Sequence, residues 1–145
     1  MSILIVDDSP DQQALLRSIL GKAGHTEVLS ADSAMAAARV LNLDGDSASH
    51  KIDLILMDVL MPEQDGVETC RQIKQCAHVK DVPVIMVTAK SDLSNLQDAF
   101  AAGAMDFISK PVNSIELLAR VSSALLLKQE MDRRKNRELE LRRSN

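Results

Sequence analysis

From residue 3 to about residue 127, short runs of apolar and β-branched residues alternate with longer stretches of helical spacing. This alternation limits the possible folds more than any other feature of the chain. The runs cover residues 3–6, 27–31, 52–57, 82–88 and 104–108. Five strands separated by helices predict an α/β fold with a parallel sheet covered on both faces, because parallel neighbours need long crossovers and helices supply them. At 145 residues the chain is sized for one such domain. Aromatic residues make up 1% of the chain, so the core is expected to consist of Val, Ile, Leu, Met and Ala.

The helices have readable ends. Ser9-Pro10-Asp11-Gln12 offers an N-cap serine, a proline at the first helical position and a glutamine three residues after the cap. Leu15, Leu16, Ile19 and Leu20 follow at helical spacing, and Gly21 and Gly24 loosen and end the helix. Ser33 opens an Ala-rich helix to about Leu43, and further helices are predicted at 67–76, 93–102 and from Ser114 onward. The last does not stop: neither Gly nor Pro interrupts it before Asn145, and from Lys128 only Met131, Leu139 and Leu141 are large and apolar. A division at 1–127 for the domain and 128–145 for a helical extension or linker follows. A polar helix leaving a finished domain usually joins another domain or pairs with a copy of itself.

Charge narrows the partners. Residues 1–127 carry 10 Lys/Arg against 17 Asp/Glu, and residues 128–145 carry 7 against 4. The acidic body has no basic footprint for nucleic acid, although it would attract a cation, and the mixed charges of the tail read as a solvated helix face. Cys70 and Cys76 lie six apart with no second pair, a pattern of reduced thiols and not of zinc or a disulfide. The opening MSILIVDDSP has no leader-like pattern, and no apolar run approaches the ~20 residues that span a bilayer. A cytoplasmic protein without membrane contact is predicted.

In open parallel α/β sheets, ligands bind outside the carboxyl ends of the strands. Asp7 and Asp8 follow the first run, Asp58 ends the apolar stretch IDLILMD, Thr88 and Lys90 close the fourth run, and Lys110-Pro111 follows the fifth. Singly, these are ordinary capping, strand-end or solvated residues; together they share one sheet edge. Carboxylates ~4 Å apart repel by about 4 kcal/mol per pair at an effective dielectric of 20, so the cluster calls for a cation. Oxygen ligands suit Mg²⁺, a frequent partner of phosphate. A metal, a lysine and a hydroxyl around one carboxylate are what attack on a phosphoryl group needs.

ILIVDDSP, LILMDVLMPEQDG, VPVIMVTAK and GAMDFISKPV together resemble the receiver domain of two-component response regulators, over residues 2–127. The resemblance implies a doubly wound sheet of strand order 2-1-3-4-5, an order the flavodoxin-like folds share. It makes Asp58 the phosphoacceptor and gives Asp7, Asp8, Asp58 and the Leu60 carbonyl to Mg²⁺. Lys110 would pair with phosphoryl oxygens, Thr88 would turn toward them, and Phe107 would swing inward as Thr88 moves. Pro62 and Gly66 would shape the loop after the acceptor, and Pro111 would aim Lys110, often through a cis bond.

The same resemblance implies a sensor histidine kinase or phosphotransfer protein as donor. It also implies a homodimer through the surface of the fourth helix, fifth strand and fifth helix, aided by the C-terminal helix. Leu60 and Lys90 flank the approach of water and are poor at positioning it, which implies slow loss of the phosphoryl group. A related aspartyl-phosphate hydrolase would need an acid two residues after its nucleophile, where Leu60 stands; the chain is therefore read as a signalling phosphoacceptor and not an enzyme. The tail LLLKQEMDRRKNRELELRR resembles linkers to diguanylate cyclase, phosphatase or phosphodiesterase domains, and the end at RRSN reads as a boundary before such an effector. The alternative is a stand-alone, chemotaxis-like receiver that signals by protein binding alone.

Overall fold

The computed structural model describes residues 1–48, 50–61, 65–89 and 95–144, with only the backbone of Ser144. Its elements are β1 (Ile3–Val6), α1 (Pro10–Lys22), β2 (Val28–Ala31), α2 (Ala34–Leu41), β3 (Leu54–Asp58), α3 (Gly66–Gln75), β4 (Val84–Ala89), α4 (Leu96–Ala101), β5 (Asp106–Lys110) and α5 (Ser114–Ser144). The strands form one parallel sheet of order β2-β1-β3-β4-β5. The α/β doubly wound, flavodoxin-like architecture with a long C-terminal helix is thus present.

The apolar runs are continuous, and the pleat of each strand divides their side chains between two cores. Leu4, Val6, Ile55, Met57, Val84 and Met86 face one cluster with Ala37, Leu41, Cys70, Ile73 and Ala99 from α2, α3 and α4. Ile3, Ile5, Leu54, Leu56, Ile85, Val87 and Ile108 face the other with Leu16, Leu20, Leu117, Val121 and Ala124 from α1 and α5. Each fully buried Leu or Ile contributes roughly 1.5–3 kcal/mol relative to exposure. Among the described residues no helix is long and apolar enough to cross a membrane.

Several boundaries shift from the sequence expectation, each for a local reason. The β5 strand covers 106–110 instead of 104–108 because Gly103, at φ +110°, turns the chain and the Ala104 N–H closes α4 on the Ala99 carbonyl. A Cβ on Gly103 would also stand 2.6 Å from Cγ of Lys74, whose ammonium crosses this turn to donate to the Val82 carbonyl at 2.7 Å. The α2 helix ends at Leu41 instead of Leu43 because Asn42 adopts a left-handed C-cap. At α1, Ser9 Oγ accepts from the Gln12 N–H, as a capping serine should, but the Gln12 amide does not return the bond; Asp7 takes the Ser9 N–H. Leu93, Pro62 and Lys90 lie outside the described residues.

Candidate functional site

The sheet register brings the carboxylates together. β1 lies between β2 and β3, and its last pair with β3 is Val6 with Met57, so Asp7 and Asp58 come next on adjacent strands. Asp8 follows on the β1–α1 loop. One oxygen from each of Asp7, Asp8 and Asp58 lies within 4.8 Å of the others. Asp7 and Asp58 are 1% and 8% exposed, so their repulsion is weakly screened.

Asp7 is held from both sides. Its Oδ1 accepts the Ser9 N–H at 2.9 Å, while Gln13 Nε2 donates to its backbone carbonyl at 2.6 Å. Among the described residues its buried Oδ2 has no hydrogen-bond partner, and Lys110 Nζ lies 3.6 Å from it. An orphaned carboxylate oxygen facing two further carboxylates fits a divalent cation with oxygen ligands.

Asp58 ends β3. Its Oδ1 accepts the Leu60 N–H at 3.3 Å, and its Oδ2 lies 3.5 Å from Lys110 Nζ. Burial pushes its pKa up, Lys110 pulls it down in part, and Asp7 adds to the rise. Lys110 closes β5 opposite Ala89 and stands between Asp7 and Asp58; its bond to Pro111 is cis. Thr88 is fully buried, and its hydroxyl donates to the Ala89 carbonyl at 3.2 Å. Phe107 is half-buried, edge-on to Phe100 with ring centroids 6.2 Å apart.

Gly66 begins α3 hard against the end of β3. Its N–H donates to the Val59 carbonyl at 2.6 Å, and a Cβ there would stand 2.0 Å from the Asp58 carbonyl oxygen. Close approach therefore requires glycine at this position. Asp65 caps the helix by accepting the Glu68 N–H at 2.7 Å.

Asp7, Asp8, Asp58 and Lys110 thus meet at one point, with Thr88 and Phe107 on the adjoining strands and Gly66 beneath Asp58. Gln13 was missed by sequence reasoning. Its only signal is a place in the first turn of α1, within reach of the loop that carries Asp7. The cluster can hold a divalent cation and present one carboxylate, flanked by a lysine, to an incoming electrophile.

The family described as "Response regulator receiver domain" matches residues 3–122. A "Probable cyclic di-GMP phosphodiesterase" of Vibrio cholerae is 39% identical over 131 residues, which is 90% of this chain and 28% of that protein. "Transcriptional regulatory protein YvrH" of Bacillus subtilis is 37% identical over 124 residues, 86% of this chain and 48% of that one. The chain therefore spans about half or less of these relatives. The solved signal receiver domain of a signal transduction histidine kinase from Syntrophus aciditrophicus superposes with a TM-score of 0.75 at 36% identity, covering 86% of this chain and 89% of that one.

Proposed function

Since the chain belongs to the response regulator receiver family of two-component signalling, we propose that it takes a phosphoryl group on Asp58 from a histidine of a partner kinase or phosphotransfer protein. The observation that carries this reading is Lys110, set 3.5 Å from Asp58 and 3.6 Å from Asp7 at the rim of three converging carboxylates. Mg²⁺, held by Asp7, Asp8, Asp58 and the Leu60 carbonyl, would neutralise charge on the phosphoryl oxygens as they approach.

The chain's own residues do the rest. Asp58 presents an oxygen to phosphorus in line with the leaving imidazole, and a P–O bond forms as the P–N bond breaks. Ser9 and Gln13 keep Asp7 aimed at the cation. Lys110 exchanges its contact with the free carboxylate for one with the phosphoryl oxygens. Thr88 gives up the Ala89 carbonyl and turns its hydroxyl to the same oxygens, which draws β4 inward. Phe107 leaves its edge contact with Phe100 and fills the space, altering the surface of α4, β5 and α5. The aspartyl phosphate is thus a local charge that biases a two-state element.

The output belongs to the same proposal. Because two of the similar proteins are cyclic di-GMP phosphodiesterases by name, α5 is read as a link to an effector in cis of the cyclic-di-GMP type, cyclase or phosphodiesterase. A homodimer through α4, β5 and α5 is the route by which the signal reaches it. Incubation with acetyl phosphate and Mg²⁺ should add one phosphoryl group to the intact mass, and Asp58→Asn should add none. Equal labelling of the two proteins would overturn the assignment.

A further inference from the structure

The inward stripe of α5 does not end where its leucines do. Leu117, Val121 and Ala124 face the core, and the same helical face continues as Lys128, Asp132 and Lys135. Lys128 is only 6% exposed, which is unusual for a lysine and departs at this position from the reading of the tail as a solvated face, although residues 133–143 are exposed. Its ammonium donates to Asp132 Oδ1 at 2.6 Å and lies 3.7 Å from Asp53 Oδ1. Asp53, 3% exposed just before β3, is fixed by the Ser2 N–H on its Oδ2 at 2.8 Å, and among the described residues its Oδ1 has no hydrogen-bond partner. Lys51 stands 3.7 Å from Asp132 Oδ2, and Lys135 reaches Asp81, just before β4, at 2.5 Å. A cavity of about 270 Å³ lies between the helix and this edge, lined by Lys51, Asp81, Lys128, Asp132, Lys135 and His78.

We propose that Lys128, Asp132 and Lys135 form a latch that binds α5 to the edge of the sheet opposite the carboxylate site, and so fixes the direction in which the helix leaves the domain. A buried lysine and a buried aspartate are tolerated together because each neutralises the other; either one alone would be an uncompensated charge. Most helical stability in proteins comes from tertiary packing of one face and not from propensity. The charged stripe supplies it where the sheet no longer offers apolar surface. Its next position, Leu139, is half exposed, so the latch ends near Lys135. A partner gripping the helix beyond that point is held at a set orientation to the domain. The latch uses none of the phosphotransfer residues, so its test and that of Asp58 fail independently.

Nitroxides placed at Lys22→Cys and Arg142→Cys, in a Cys70→Ala/Cys76→Ala background, report the helix direction as a distance distribution by pulsed dipolar spectroscopy. The parent should give one narrow distribution. Lys128→Met should widen it at least two-fold, and so should Lys135→Glu, which sets like charges at Asp81 and leaves the core untouched. Combining Lys135→Glu with Asp81→Lys should restore the narrow form. If Lys128→Met does not fold, Lys135→Glu and its rescue decide the matter. Distributions that superimpose in parent and variants, narrow or broad, would overturn the latch.

Discussion

Asp58 sits beside a second buried carboxylate and 3.5 Å from Lys110, and burial raises its pKa above the ordinary carboxylate value. The stability consequence has a definite sign. An acid with a raised folded-state pKa binds protons more readily folded than unfolded, so metal-free protein gains stability as the pH falls from above that pKa toward the ordinary value. Above it, the charged group weakens the fold. Asp58→Asn should therefore stabilise the metal-free protein at neutral pH by on the order of 1 kcal/mol, and flatten the pH dependence of its stability in the range just above the ordinary carboxylate value. Urea unfolding across that range measures both effects; an Asn variant less stable than the parent at pH 7 would contradict the electrostatic account. The acidic residues were legible in the sequence because a charge at the end of an apolar run has few uses. Their supports were not: the Ser9 N–H and the Gln13 amide act on Asp7 through loop geometry that no spacing rule encodes.

The elements themselves were largely legible, since strand and helix periods differ and Ser9, Ser33 and Asp65 cap α1, α2 and α3 through their side chains. Their ends moved where a tertiary contact overrode propensity. Gly103 shows this at β5: its positive φ and the lysine crossing it delay the strand by two residues, to end on Lys110. Gly66 shows it at α3, where a loop-shaping glycine in sequence becomes a contact with the Asp58 carbonyl in space. Gly66→Ala should cost about 3 kcal/mol, the upper range for an overpacked site, and slow phosphoryl transfer by displacing the end of β3. Thermal unfolding together with acetyl phosphate labelling checks this; a variant that keeps both the stability and the rate of the parent would refute the close contact. The charged part of the α5 stripe was not legible, because a charged residue at a core position reads as solvent-facing until Asp53 and Asp81 are placed opposite it.

At the scale of the whole molecule, one edge of the sheet carries the carboxylates and the other edge carries the charges that meet α5, so the site and the departing helix are joined through the strands between them. The lifetime of the phosphoryl group proposed for Asp58 depends on water. Leu60 and Lys90 offer no carboxylate or amide to position it, so phosphorylated protein in Mg²⁺ buffer should lose its label over many minutes or longer. Loss within seconds would refute that role for the two positions. The account as a whole turns on which atom receives the phosphoryl group, and the most direct measurement is chemical. Protein labelled by a phosphodonor is trapped with borohydride, which reduces an aspartyl phosphate to homoserine, and is then digested and sequenced by mass spectrometry. The account predicts homoserine at position 58 alone, and only when Mg²⁺ is present; homoserine at Asp7 or Asp8, or none at all in protein that carries the label, would contradict it.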